Sequence, residues 1–190
     1  MRLERHIVVR AALELLGEVG LDGLTTRRLA KALGVQGPAL YWHFKDKQEL
    51  IDEMARALLS DAFLALDANQ DWAPWLEEGA RRLRRQLLSY RDGARLLAGY
   101  RPSAPHGRLE PKVALGPLVE AFGIPDAIWA LLTASRFAFG WAMDEQAALG
   151  RSPPFKPPFD PENGFEFGLS VIIAGLQARL AARPPAPDGG

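Results

Sequence analysis

The sequence contains no cysteine. Disulfide frameworks, thiol nucleophiles and zinc–cysteine sites are therefore excluded. Histidine is scarce, with His6, His43 and His106 the only three. No stretch reaches the ~18 uninterrupted apolar residues of a membrane span, so no membrane partner is expected. The start does not read as a signal peptide, because Glu4, Glu14 and Glu18 interrupt its apolar residues. A cytoplasmic location is the default expectation. No period-two alternation of a β-strand appears, and no internal repeat. Neither charge dominates, with 23 basic and 23 acidic residues. No nucleophile–base pair, phosphate loop, metal cluster or cofactor motif is visible. Asp144 and Glu145 form a carboxylate pair, but neighbouring residues on a helix do not face each other, so a solvated or capping role is expected. The chain is not expected to be an enzyme.

What is present is apolar residue at helical spacing. Hydrophobic residues make up 48% of 190, enough for a buried core. The chain is organised around Thr25 to Lys47, TTRRLAKALGVQGPALYWHFKDK. Thr25 or Thr26 can cap a helix carrying Leu29, Ala30 and Leu33 on one side. Gly34 can end that helix and start a tight turn. Gln36-Gly37-Pro38 opens a second, short helix, with Pro38 in the first turn where its missing N–H costs nothing. Leu40 and Phe44 are candidates to point inward, while Tyr41, Trp42 and His43 include residues that point elsewhere. The pattern is a helix-turn-helix. Its basic residues are Arg27, Arg28, Lys31, Lys45 and Lys47, against the single acid Asp46. One basic patch on a neutral chain suits a protein that holds DNA at one end. Two packed helices with no DNA role would show much of the same pattern.

Around this stretch the sequence predicts an all-α chain. Leu3 to Gly20 is an amphipathic helix, with Gly20 as its stop, and braces a three-helix head. Asp46 with Glu49 forms a capping-box variant that starts a connector helix running to about Ala68. Asp71 to Leu88 is next, with Trp75, Leu76, Ala80, Leu83 and Leu87 buried. Arg81, Arg82, Arg84 and Arg85 form a basic cluster read as a solvated face paired with Glu77 and Glu78. A short helix from Gly93 ends at Gly99. Glu110 to Phe122 is helical, and Pro125 begins a long helix bearing Ile128, Trp129, Leu131, Leu132, Phe137, Phe139, Trp141 and Met143. A helix apolar almost all round is buried on several sides or meets another subunit. Five of the 15 prolines lie in 150–161, a stiff loop or a flap. The last helix runs from Gly164 to Leu180, where Gly168 and Gly175 would allow close approach. The expected units are a head at 1–47, a connector at 48–68, a ligand-binding and dimerisation body at 69–182 and a disordered tail at 183–190. Two very apolar helices suggest a homodimer, which would set two helix-turn-helices on a palindromic site.

LERHIVVRAALELLGEVGLDGLTTRRLAKALGVQGPALYWHFKDKQELID strongly resembles the N-terminal domain of the tetracycline-repressor (TetR) family. The body resembles a tetracycline-repressor-like C-terminal domain through RDGARLLAGYRP (91–102), FGWAMDEQ (139–146) and FEFGLSVIIAGLQARL (165–180). The resemblance implies a dimeric transcriptional repressor released from operator DNA by a small molecule. It places Arg27 at a position that reads a guanine. Pro38 and Tyr41 match positions that meet bases, and Thr26, His43 and Lys47 match backbone contacts. Thr25, Gln36, Ala39 and Trp42 complete the candidate DNA-facing set. For Trp42 and Phe44 the alternative is packing of the short helix against the head. Gly37 stands where the tetracycline-binding members have a base-reading glutamine, so the operator should differ.

The resemblance also puts a ligand tunnel in each body. Its polar or ligating positions are here Phe63, Gly79, Leu97 and Arg136, while Arg101, Pro102 and one of Asp144 or Glu145 are retained. None of the three histidines falls at a matched metal position. Imidazole is a common metal ligand and leucine is none, which argues against a magnesium-tetracycline inducer. An apolar or aromatic ligand follows, held by Phe63, Trp75, Leu83, Leu97, Tyr100, Trp129, Phe137 and Trp141, with any anionic group near Arg101 or Arg136. On ligand binding, the helix at 93–98 and the connector would move together and change the separation of the two heads. The competing reading is a helical protein-interaction module that does not bind DNA.

Overall fold

The structure, a computed structural model, describes residues 3–64, 66–100, 115–148 and 160–183. Every regular element among them is a helix. The first helix, α1 (Arg5–Gly23), carries a break at Gly20, whose φ of 71° and ψ of 176° are not helical. The stop expected there is real, and one further turn follows it. Next come α2 (Thr26–Leu33) and α3 (Gly37–Tyr41). Val8, Ala12, Leu16, Leu24, Leu29, Leu40, Phe44, Leu50 and Met54 are buried between α1, α2, α3 and the start of α4 (Lys47–Leu64).

Arg5 ties this head together. Its guanidinium donates to the His43 carbonyl at the end of α3 and to Glu49 Oε1 at 2.7 Å. It also lies 3.3 Å from Glu53 and stacks over the Phe44 ring at 4.5 Å. The other Glu49 oxygen accepts from Lys45 N at 2.8 Å, while Asp46 accepts from Glu49 N at 2.8 Å. The expected capping box is thus extended by a cation from α1. Helix α4 ends at Leu64, short of the expected Ala68. Leu66 N bonds back to Phe63 O, and Asp67 accepts from Asn69 N at 2.9 Å, an Asx-type turn that replaces the helix.

The body packs around α5 (Trp72–Ser89), which lies between α4 and the long α8 (Ile124–Ala148). Trp75, Leu76, Ala80, Leu83 and Leu87 are buried as expected. Helix α6 (Gly93–Ala98) ends at Gly99, and α7 (Gly116–Phe122) ends at Gly123, whose φ is 74°. The expected start of α7 at Glu110 lies outside the described residues. The buried row of α8 is Ala127, Ala130, Ala134, Ala138 and Ala142, not its large residues. Spacing of three or four keeps those alanines on one face, and their size lets a neighbouring helix approach closely. Trp129 is 64% exposed on the opposite side, so of the two expected alternatives that face fits contact with another subunit and not burial within one chain.

The last helix, α9 (Pro161–Ala181), starts three residues earlier than expected. Asp160 accepts from Glu162 N at 3.1 Å and Pro161 occupies the first turn. Phe165, Leu169 and Ile173 face α8. A Cβ on Gly168 would lie 2.5 Å from the Phe137 ring, so that glycine does permit close approach. Gly175 meets nothing within 4 Å and plays no such part inside one chain. By length and composition α9 could cross a membrane, but Glu162 and Glu166 anchor it to the bundle. Arg84, only 7% exposed, bonds Glu145 at 2.7 Å and Glu162 at 2.5 Å and lies over Phe165. Arg81 bonds Glu166 at 2.8 Å and 2.7 Å and Glu77 at 3.1 Å. The basic cluster on α5 is therefore a solvated face only in part. Arg82 and Arg85 do pair with Glu78, whereas Arg84 is an interior cation and Glu145 is its partner, not a solvated carboxylate.

Two outcomes test these ties. Arg84→Ala leaves the largely buried Glu145 without its partner and empties the place of a buried cation, and should lower stability by about 3 kcal/mol in chemical denaturation. The bond from Arg5 holds the Glu49 carboxyl below its usual 4.5. Folding therefore binds fewer protons at this group. Its stabilisation is complete above that value and is lost as pH falls below it. Thermal melts from pH 7 to 3 should show Tm falling more steeply in the native protein than in Glu49→Gln.

Candidate nucleic-acid interface and ligand region

The local chemistry of 25–47 holds α3 out on the surface. Thr25 accepts from Arg28 N at 3.2 Å and caps α2. Gly34 takes the left-handed conformation (φ 66°) and turns the chain. Pro38 fits the first turn of α3 without loss. Leu40 and Phe44 point inward, 3% and 4% exposed. On a five-residue helix this forces the remaining side chains outward. Gln36, Pro38, Tyr41 and Trp42 are exposed, with Ala39, Gly37 and His43 half-buried beside them. Trp42 is 89% exposed. The packing alternative holds for Phe44 and is overturned for Trp42.

The basic residues divide in two. Arg28 donates to Gly23 O at 3.0 Å and closes the α1–α2 corner. Arg27, Lys31 and Lys47 are exposed, and none makes an ion pair among the described residues. Thr25 is exposed and Thr26 half-buried at the start of α2. The surface around α3 thus combines unpaired cations, hydroxyls and exposed aromatic rings. That mix suits phosphates at the rim and base edges at the centre.

The candidate ligand residues fall in three places. Phe63, Trp75, Gly79 and Leu83 meet between α4 and α5, with Phe63 and Trp75 ring centroids 5.4 Å apart. Leu97 and Tyr100 are half-buried on and just after α6, where burial pushes the Tyr100 phenol pKa up. Phe137 and Trp141 instead pack on Phe165 between α8 and α9, at 5.3 Å and 6.1 Å. Trp129 and Arg136 are exposed on α8 and join neither group. Arg101, Pro102 and His106 lie outside the described residues.

Sequence reasoning missed the contacts that join head and body. Leu21 N donates to Asp92 Oδ2 at 2.7 Å. Arg95 forms two bonds to Asp22, at 2.7 Å and 2.8 Å, which hold the Asp22 carboxyl below its usual range. Gln48 Nε2 donates to Gly99 O at 3.0 Å. All three link α6 or its flanks to α1 and α4. From the other side, Gln146 of α8 donates to Leu87 O and Tyr90 O, each at 2.8 Å, and accepts from Ala94 N at 3.0 Å. Asp92 and Gln146 lie inside stretches singled out above, but nothing in their spacing reveals partners up to 71 residues away.

Residues 8–54 match the family model for bacterial regulatory proteins of the tetR family, and residues 66–157 match that of the tetracyclin repressor-like C-terminal domain. The class A tetracycline repressor protein from transposon 1721 of Escherichia coli is 44% identical over 201 residues, covering 94% of this chain and 92% of that protein. Among solved structures, a TetR variant from Acinetobacter baumannii AYE in complex with minocycline superposes with a TM-score of 0.73 at 40% identity, covering 93% and 98% of the two chains. Apo ActR from Streptomyces coelicolor gives 0.77 at 26% identity, covering 95% and 98%. The exposed helix-turn-helix, the helical body and these likenesses along nearly the whole chain lead to one conclusion: the protein belongs to the TetR family of ligand-responsive, DNA-binding transcriptional regulators.

Proposed function

We propose that this regulator is a dimeric cytoplasmic repressor that reads a palindromic operator through α3 and leaves it when an apolar or aromatic inducer enters the body. The observation that carries the reading is the division of the head. Leu40, Phe44, Arg5 and Arg28 are spent on holding the fold, while Arg27, Pro38, Tyr41, Trp42 and Lys47 remain outward. Arg27 is assigned to a guanine, Pro38 and Tyr41 to base edges, and Thr26, His43 and Lys47 to the backbone. Gly37 offers no side chain for base reading, which sets the operator apart from those of the tetracycline repressors.

The dimer follows from the outer faces of α8 and α9. Ile128, Trp129, Phe167 and Val171 are exposed there, Phe167 at 72%. A second copy related by a two-fold axis would cover both faces and pair the two heads. The region 69–182 is the regulatory and dimerisation unit in this reading, 1–47 the DNA-binding unit and 48–68 the connector. A 40%-identical relative binds minocycline. In this chain Phe63, Gly79 and Leu97 supply neither imidazole nor amide, which supports an apolar or aromatic inducer in place of a metal chelate. Inducer binding would favour a state in which α6 and α4 shift together, through the bonds of Asp92, Arg95 and Gln48. A few kcal/mol of differential affinity between the two states suffices.

Fluorescence anisotropy against DNA flanking the gene, with competitor and at two salt concentrations, is the direct test. One fragment should bind tightly and survive competitor. Arg27→Ala should weaken that binding by about 1–3 kcal/mol and relax specificity at one base pair. Tyr41→Ala should also weaken it, while both variants stay dimeric. Unchanged affinity in Arg27→Ala would reject the reading. Sedimentation should find the native protein dimeric and Trp129→Glu/Phe167→Glu monomeric, since two charges would be buried unpaired.

A further inference from the structure

The ring of Phe63 occupies the place a side chain at position 79 would need. A Cβ on Gly79 would lie 2.1 Å from Phe63 Cε1 and 2.2 Å from Cδ1. Phe63 is 6% exposed and is also packed on Trp75. Glycine inside a helix is destabilising relative to alanine, so this notch is kept against local preference. It admits one ring to the backbone of α5 and lets α4 close on it. Gly79, Leu83 and Gln86 stand at i, i+4 and i+7 and share that face of α5. The Gln86 Oε1 atom is buried and has no hydrogen-bond partner among the described residues. A buried acceptor without a donor is costly, and this one marks where a donor is wanted. Seven residues put about 10 Å of helix between positions 79 and 86, a span a small fused-ring molecule can cover.

We propose that Phe63 is a resident plug of the inducer site, and that the inducer is a neutral planar aromatic of one or two rings with a single hydrogen-bond donor. In the DNA-binding state the Phe63 ring fills the space that the inducer's ring takes. The donor of the inducer meets Gln86 Oε1. A larger chelate with many polar atoms would meet the apolar side chains of Phe63, Trp75 and Leu83. Because Phe63 stands on α4, whose first turn holds Glu49 and through it Arg5 and the end of α3, expelling the ring shifts the helix that supports the head. The proposal rests on the body being inducer-responsive and names the ligand class and the displaced group.

The test uses the full-length protein. Gly79→Ala forces the ring out without any ligand, so operator affinity should fall at least about fivefold, the lower end of ordinary allosteric coupling. Phe63→Ala/Gly79→Ala should restore it, with helicity by circular dichroism unchanged in both. Undiminished affinity in a folded Gly79→Ala, or no restoration in the double variant, overturns the plug. If Gly79→Ala does not fold, ligand probes decide. Indole should raise the Tm of Phe63→Ala more than that of the native protein, and more than benzofuran, which has the same shape without the N–H. Gln86→Leu should erase the difference between the two probes. Equal shifts by indole and benzofuran, or none in Phe63→Ala, overturn the ligand class. A native protein that binds no operator would instead sink the repressor reading, and the Tm comparison would still judge the plug.

Discussion

Three hydrogen bonds from one amide set where the head sits. Gln146 bonds Leu87 O, Tyr90 O and Ala94 N, backbone groups where α5 ends and α6 begins; Tyr90 O also accepts from Gly93 N at 3.1 Å. A helix end has orphan carbonyls and amides that need such partners. Without that amide, α6 would be a single loose turn and a half. With it, α6 is backed by the long α8 and becomes a rigid block. On its other side the same block meets α1 through Asp92 and Arg95 and α4 through Gly99 O. A short element held from behind and bonded in front transmits displacement in place of absorbing it. The Gly20 break adds to this. A Cβ there would lie 2.6 Å from Asp92 Oδ2, so the missing side chain of Gly20 is what gives Asp92 room to reach Leu21 N.

Helix α8 serves two partners by sorting side chains by size. Its alanine row lets α5 lie close, and Gly164 and Gly168 of α9 make room for Trp141 and Phe137. Leu131, Phe139 and Met143 pack partly against this interior, whereas Ile128 and Trp129 point away from it. Trp129 and Phe167 are each more exposed than solvation of an isolated bundle would favour. The high apolar content of α8 and α9 thus answers to an interface as much as to a core. The membrane-like composition of α9 has the same origin. Of its three charged residues, Glu162 and Glu166 are committed to Arg84 and Arg81 and Arg179 stands in the last turn, so the outer surface between them carries no charge.

Much of the head was legible because its signals are local. A threonine cap, a left-handed glycine and a proline in the first turn act within four residues, and each stands where the pattern put it. The boundaries that slipped were those settled by an unnoticed local competitor. Asp67 ended α4 early, and Asp160 started α9 ahead of Gly164. The alanine row of α8 is hard to see in the sequence because large apolar residues mark a core face and an interface alike, whereas close helix packing selects alanine. Arg84 was read with its three neighbours as a solvated cluster. Nothing within α5 separates it from them; only Glu145 and Glu162, arriving from other helices, do so. The same holds for Arg5, whose four contacts lie on residues 38 to 48 positions away. The candidate ligand residues scattered for a related reason. Spacing assigns an aromatic residue to a buried face but not to the helix that faces it, so Phe63 and Phe137 went to different interfaces.

Gly37 and Gly79 both stand where the family resemblance expects polar side chains, yet the structure treats them in opposite ways. A Cβ on Gly37 meets nothing within 4 Å. Its surroundings would accept a side chain without rearrangement, so the glycine there removes a base contact and leaves the scaffold untouched. A Cβ on Gly79 meets Phe63 at 2.1 Å. That site accepts no side chain, because a neighbouring helix has already filled it. Operator choice and inducer choice are therefore constrained differently. The first depends on a surface position that can change alone, since no packing energy is attached to it. The second is fixed by a pair, and in a close-packed interior neither member can change without the other. A regulator built this way can acquire a new operator by single substitutions, whereas a new inducer requires coupled ones.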